Sequence, residues 1–354
     1  MADVTLSRWT MSYFAAALGA LVVAESLMAV GYGYPVAPLQ APETLVLVHI
    51  IAIGWLSLLM CGALFQFVPV LIARPLYSDY LPLPALGCLV MGLATLLLGF
   101  LQLAGQVTPS VPFFPIAAGL LGIGFGLVLW NLGRTLWSAR PLPLPARFVV
   151  IGLFSIGATA AFGIVFALVL GGVTAYPHFV DVTTMGLPIH VIAGLGGWLT
   201  FTAMGVSYRL LAMFMLAPEG NGATTRGVFY IATSALGLVI VGGATAICFG
   251  GSITMVLSAG GLLSLSALIL YGRDILHLYH ARRRRIIELN SRMAAVALAN
   301  LAAGVILIIV FIAFGSFERV VAAAVFLFAF GWLSGLGLAK LYKIVAFLTW
   351  LEIY

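Results

Sequence analysis

The sequence predicts an all-α polytopic membrane protein of about ten transmembrane helices arranged in a pseudo-threefold bundle. Of its 354 residues, 63% are hydrophobic and only 7% are charged, and the mean hydropathy is +1.20, far from the balance of a soluble domain. A short pattern around a tryptophan also occurs three times, at intervals of about 140 residues, which is room for four membrane-spanning helices and their loops. We therefore expect a single transmembrane domain over residues 1–354.

Ten apolar stretches are long enough to cross about 30 Å of hydrocarbon, and we number these spans one to ten in chain order. Prolines near many of their ends support the boundaries, because proline starts or stops a helix. The predicted spans are residues 9–33, 44–72, 82–105, 112–138, 147–173, 186–216, 226–249, 253–275, 290–314 and 320–347. The tryptophan pattern falls on spans two, six and ten, which predicts repeat units of about 9–139, 147–275 and 290–354.

The charged residues predict the orientation. The arginine run 282–285 follows span eight, whereas Glu43 and Asp181 lie in loops on the other side of the predicted bundle. The positive-inside rule therefore places the arginine run and both ends of the chain in the cytoplasm, and we expect a bacterial inner membrane. The net charge of +6 is explained by this topology and by contact with the lipid bilayer, so no nucleic-acid partner is expected.

Each copy of the repeat has a tryptophan, a small residue seven positions later, an aromatic residue ten positions later and a polar or basic residue eleven positions later. The residues are Trp55, Gly62, Phe65 and Gln66; Trp198, Gly205, Tyr208 and Arg209; and Trp332, Ala339, Tyr342 and Lys343. At 100° per residue, the tryptophan, the small residue and the polar residue lie within about 20° of one stripe, with the aromatic residue about 80° to the side. We expect this stripe to face the bundle interior, where a small residue lets two helices approach closely. For Arg209 and Lys343, snorkelling to the inner membrane surface is the favoured interpretation.

Three ionisable residues lie in the outer part of predicted spans. Glu25 is either a functional group or a protonated carboxyl bonded to a neighbour, and both alternatives stay open. His49 precedes Trp55 by six residues, and His190 precedes Trp198 by eight, in similar local sequences. The two extra residues before Trp198, glycines included, predict a helix irregularity that returns His190 to the matching place. Imidazoles at membrane depth ligate haem or metal, relay protons or satisfy a core hydrogen bond, and this matched pair favours ligation.

A family resemblance rests on these residues. Span two has a histidine at its outer end, then a tryptophan, a mid-helix glycine and a proline at the far end (His49, Trp55, Gly62 and Pro75). This pattern resembles the second helix of haem–copper oxidase catalytic subunits. The cytochrome cbb3 and nitric oxide reductase branches are the most similar, and the NnrS family of haem- and copper-associated membrane proteins is similar in the same way. The resemblance implies an oxidase-subunit-I-like ring of four-helix units. It implies that His49 binds haem b and, more loosely, that His190 is a copper ligand.

The departures from that family limit the expected chemistry. Spans seven and ten contain no histidine, so the paired copper ligands and the remaining haem ligands of the family are missing, and we count ten spans rather than twelve. We therefore do not expect the protein alone to act as a terminal oxidase or a nitric oxide reductase.

The expected function is a haem- or copper-binding membrane protein with a role in respiratory electron transfer, in nitric oxide or copper handling, or in assembly of a respiratory complex. A membrane or periplasmic redox partner subunit is expected with it. Glu25, His49 and His190 at comparable depth predict either a haem pocket with a proton-linked acid or a small metal site of two nitrogens and one oxygen. Two alternatives stay open: a cofactor-free transporter or channel in which these three residues line an ion path, and a structural subunit of a larger complex.

Overall fold

The computed structural model describes residues 4–108, 111–220, 222–315 and 317–353, and side chains over 9–108, 111–220, 222–315 and 321–346. Within these ranges the chain forms helices and connecting segments and no strand. Ten helical stretches in the described chain are long and apolar enough to cross a membrane. The protein is therefore an all-α, multi-pass membrane protein, as its sequence predicts.

Each predicted span is present. The observed spans are Trp9–Ala29, Pro42–Ile72, Pro82–Leu103, Phe113–Trp137, Leu144–Leu170, Leu187–Met215, Ala223–Cys248, Ile253–His280, Leu289–Ala313 and Val321–Ala346. The side of the bundle that carries the arginine run 282–285, between spans eight and nine, is called the arginine side below. The other side is called the opposite side.

Three details differ from the sequence prediction. Span one ends at Ala29 rather than residue 33, because Gly31 and Gly33 turn the chain with φ angles of 78° and 79° that favour glycine. Span eight continues to His280 rather than ending at residue 275. A helix that the sequence did not predict, Pro177–Met185, lies between spans five and six on the opposite side.

Spans two, six and ten change from α-helix to π-helix around their tryptophans. The π-helical segments are Ile50–Ser57, Ile192–Phe201 and Leu327–Ser334. A π-type hydrogen bond joins residue i to residue i+5, so each one takes up one residue more than an α-type bond. The segment in span six has 10 residues against 8 in span two, and six of them precede Trp198 whereas five precede Trp55. The predicted helix irregularity is present, but span two has one as well.

The three π-helical segments contact one another at the centre of the bundle. Trp55 Nε1 donates a hydrogen bond to Ser334 Oγ at 2.7 Å, and Trp198 Nε1 donates to Ser57 Oγ at 3.0 Å. Each acceptor lies two residues after the tryptophan of another repeat span. The two bonds therefore run in the same sense around the centre and hold the tryptophans at a common depth, which is what three parallel repeats require.

The small residue of the repeat packs against the preceding span in the first two units. A Cβ at Gly62 would lie 2.8 Å from Tyr13 Cβ of span one, and a Cβ at Gly205 would collide with Phe148 of span five. The absence of a side chain at these positions lets the helix pairs approach closely. Ala339, the third small residue, is fully buried.

The other members of the repeat differ between copies. Phe65 and Tyr208 are buried, whereas Tyr342 is 59% exposed, so the three aromatic positions do not share one environment. Gln66 Nε2 donates to the Thr10 hydroxyl at 2.8 Å. Arg209 and Lys343 are each 38% exposed and pair with carboxylates on the arginine side. The tryptophan and the small residue face the interior, and the polar residue lies at its edge.

Candidate functional site

His49 is the last residue before the π-helical segment of span two. Its Nδ1 lies 2.7 Å from the carbonyl oxygen of Leu45, one turn earlier in the same helix, and its ring packs on Phe100 of span three with centroids 5.0 Å apart. A carbonyl oxygen only accepts hydrogen bonds, so Nδ1 carries the hydrogen. The lone pair of this imidazole is therefore on Nε2.

His190 is held in the same tautomer by a different neighbour. Its Nδ1 lies 3.1 Å from the carbonyl oxygen of Thr159 in span five, and its ring lies against Phe166 of the same span at 5.3 Å. Gly163 of span five lies beside the ring, where a Cβ would be in ordinary contact with His190 Cε1 at 3.4 Å. Nε2 of His190 therefore also carries the lone pair.

His49 packs on span three, and His190 packs on span five. Phe100, which covers His49, packs in turn on Phe114 of span four at 5.4 Å, and spans three, four and five contact one another in sequence. We call the region that contains His49, His190, Phe100 and Phe166 the histidine compartment.

The two histidines are not equivalent under the repeat. His49 packs on the span that follows its own, whereas His190 packs on the span that precedes its own. The π-helical turns of span six therefore do not copy the position of His49.

Glu25 does not join the two histidines. It is exposed and lies four residues before the end of span one at Ala29, about 6 Å from that end. Among the described residues, no three His, Cys, Asp or Glu side chains are grouped as a metal site would require. The sequence placed Glu25 deeper because it predicted a longer span one, so the structure provides two imidazoles without the expected carboxylate.

One of the hydrogen bonds that the repeat predicts between the three repeat tryptophans and the hydroxyls of the neighbouring repeat spans is missing. The repeat predicts a third hydrogen bond from Trp332 to Thr200, the hydroxyl that corresponds to Ser57 and Ser334. Both Trp332 Nε1 and Thr200 Oγ1 are buried without a hydrogen-bond partner in the described part of the chain, and so is Thr202 Oγ1. The first two atoms belong to the repeat spans that meet at the centre, whereas Thr202 Oγ1 lies against Gly152 of span five.

Two surface hollows lie away from the histidines. One of about 440 Å³ lies where spans seven and eight meet, next to Phe249 and Met255. The other, of about 400 Å³, lies on the arginine side next to Arg147, Arg226 and Tyr230. Neither has a histidine in its lining.

The histidine compartment is therefore the candidate site, because a backbone carbonyl holds the Nδ1 atom of each imidazole. Comparison with known proteins does not add to it: no protein-family model and no curated protein sequence matches the chain. The resemblance to haem–copper oxidases accordingly stays a prediction that rests on its few quoted residues.

Proposed function

We propose that the protein is an inner-membrane protein that holds a haem iron or a copper ion between His49 and His190. Its role would be respiratory electron transfer, nitric oxide or copper handling, or assembly of a respiratory complex. One observation carries the proposal: the Nδ1 atoms of both histidines are held by backbone carbonyls, which leaves both Nε2 lone pairs to one compartment.

Metal-ligating histidines commonly donate the second ring nitrogen to a carbonyl or carboxylate, which fixes the tautomer and the ring orientation. His49 and His190 both have this arrangement, although they obtain it from different helices. The rings of Phe100 and Phe166 lie against them. An apolar cover of this kind keeps the imidazoles neutral, which is the form that binds a metal.

The donor set also narrows the choice of metal. Imidazole nitrogen suits iron and copper, whereas a zinc site normally needs three or four protein ligands. His49 and His190 would hold a haem iron or a copper ion through their imidazole nitrogens. When bound, either metal would supply one-electron chemistry. The protein would contribute the orientation of the two imidazoles and the exclusion of water by the phenylalanine rings.

The test is the iron and copper content and the absorbance spectrum of the purified full-length chain and of single variants. We expect His49→Ala and His190→Ala each to lower the bound metal at least about tenfold, because each removes one of two protein ligands. His178→Ala is the matched control, since His178 is exposed in the helix outside the spans. Equal metal content in all three variants, or a colourless wild-type protein without iron or copper, would contradict the proposal.

A second candidate function is a proton or ion path without a cofactor. The unpaired polar atoms of Thr200 and Trp332, in the π-helical segments that meet at the centre of the bundle, favour it, because buried polar groups without protein partners are commonly satisfied by water. Proton flux into vesicles that contain the purified protein tests this candidate. We would expect flux above that of empty vesicles and a lower flux in Thr200→Val; equal flux in protein-containing and empty vesicles would exclude it.

A further inference from the structure

Lys340 is a buried cation that the repeat does not explain. It lies in span ten, eight residues after Trp332, where the other two repeat spans have Ala63 and Val206. Its side chain is 7% exposed. Nζ has no hydrogen-bond partner among the described residues, and it lies over the face of the Phe214 ring, 5.2 Å from the centroid. Burying a charge without an anion is costly, so this position calls for a ligand.

Spans nine and ten are antiparallel neighbours, which fixes the depth of Lys340. A Cβ at Gly335 would lie 3.3 Å from Ala297 Cβ, and Lys343 Nζ lies 2.7 Å from Glu288 Oε2. Lys340 lies between these two contacts along span ten. It is therefore level with the first turn of span nine, close to the arginine side.

Asn290, in that first turn, supplies a second unpaired donor. Its side chain is fully buried, and its Nδ2 has no hydrogen-bond partner in the described part of the chain. Its Oδ1 faces the Ser291 hydroxyl at 3.5 Å. Two buried donors, an ammonium and an amide, thus lie at the same depth, and neither is hydrogen-bonded to a described acceptor.

A carboxylate already lies at this end of span nine. Glu288 pairs through Oε1 with Arg284, and its Oε2 lies 2.7 Å from Lys343 Nζ. Arg284 is held there by its own backbone, whose N–H donates to the Met215 carbonyl at the end of span six, at 3.3 Å. Two cations therefore share one carboxylate, and Lys340 is a third cation that forms no ion pair with a described residue.

We propose that Lys340 and Asn290 bind a phosphate group, with Lys343 and Arg284 at the entrance. Phosphate oxygens accept hydrogen bonds from several donors at once, and lysine and arginine are the residues that commonly bind them. Lys343 and Arg284 are 38% and 36% exposed, so they open the site to the arginine side. Lys340 is three residues before the half-exposed Lys343, so the site lies close to the arginine side, within reach of a phospholipid headgroup as well as of a soluble phosphate.

The test is phosphate binding by the purified full-length chain in detergent, measured by thermal unfolding and by native mass spectrometry. One arm adds inorganic phosphate; the other adds phosphatidylglycerol, with diacylglycerol as the reference lipid that lacks phosphate. Stabilisation by the lipid alone identifies a headgroup site, and stabilisation by inorganic phosphate identifies a soluble ligand. No stabilisation by either probe overturns the proposal.

Variants connect the binding to these residues. We expect Lys340→Gln to weaken binding at least about tenfold, the effect of losing one charge-assisted hydrogen bond. Glu288→Gln should tighten binding, because it removes the competing carboxylate. Arg226→Gln, on the same side of the bundle in span seven, is the control and should bind as the wild type does. If Lys340→Gln does not fold, Asn290→Ala decides: wild-type affinity in whichever of these two variants is measured would contradict the site.

Discussion

The hydrogen bonds between the repeat tryptophans and the serines of the neighbouring repeat spans predict an order of stability for three variants. Ser57→Ala removes the acceptor of Trp198 Nε1, and Ser334→Ala removes the acceptor of Trp55 Nε1. Thr200→Val removes the corresponding hydroxyl of the third repeat, which has no partner in the described chain. We expect Ser334→Ala to be the most destabilising and Thr200→Val to be close to neutral.

The magnitudes follow from burial and from the number of bonds lost. Interhelical hydrogen bonds in membrane proteins contribute about 0.6 kcal/mol on average and up to about 1.7 kcal/mol, and a buried donor left unpaired costs about 1–3 kcal/mol. Trp198 is 1% exposed, so Ser57→Ala should lower the free energy of unfolding by about 1–2 kcal/mol. Ser334 Oγ also donates to the Ala329 carbonyl at 2.7 Å, so Ser334→Ala should cost about 2–3 kcal/mol. Thr200→Val preserves the shape and should stay within about 0.5 kcal/mol.

The assay is equilibrium unfolding in mixed micelles, with the free energy of unfolding measured for each purified variant. Thr200→Val serves as the matched control, because it lies at the equivalent position of the repeat and removes the same chemical group. Two results would refute the reasoning: a Ser57→Ala variant as stable as the wild type, or a Thr200→Val variant as destabilised as Ser57→Ala.

Three further predictions concern the fold and the site. Gly62→Ala should destabilise the protein by about 1–3 kcal/mol, because the added Cβ would lie 2.8 Å from a side chain of span one. Gly19→Ala is the control: its Cβ would meet nothing within 4 Å, so it should be neutral or slightly stabilising in the same unfolding assay. Glu25→Gln should leave the iron or copper content unchanged, because Glu25 is exposed; a loss of metal would place it back in the site. Reporter fusions should locate Arg282 in the cytoplasm and Asp181 outside it, and the reverse result would invert the proposed topology.

The hydropathy of the sequence and the spacing of its apolar stretches were sufficient to predict the positions of the membrane-spanning helices. Nearly all span boundaries lie within three residues of their predicted positions, because a membrane-spanning helix needs a long apolar sequence whatever its neighbours are. The tryptophan pattern also predicted which spans meet at the centre. The hydroxyl residue two positions after each repeat tryptophan is visible in the sequence, and it would have predicted the hydrogen bonds between the repeat spans.

The candidate site was less predictable, because it depends on helix rotation and on helix ends. Two glycines set the end of span one, and with it the depth of Glu25. The direction of His190 depends on how many π-type bonds precede Trp198, and no local residue pattern sets that number. Phe100 is one of 23 phenylalanines, so nothing in the sequence marked it as the neighbour of His49. Lys340 was visible in the sequence as a lysine directly after the small residue of a repeat helix, although the pattern of the repeat did not include it.

The most direct test of the proposed histidine site is X-ray absorption spectroscopy of the purified wild-type protein at the iron and copper edges. Our account predicts one of these metals in stoichiometric amount, with imidazole nitrogen scattering from two histidines. It also predicts that this scattering is lost in the His49→Ala, His190→Ala double variant. The absence of both metals from the pure protein, or a spectrum that the double variant leaves unchanged, would contradict it.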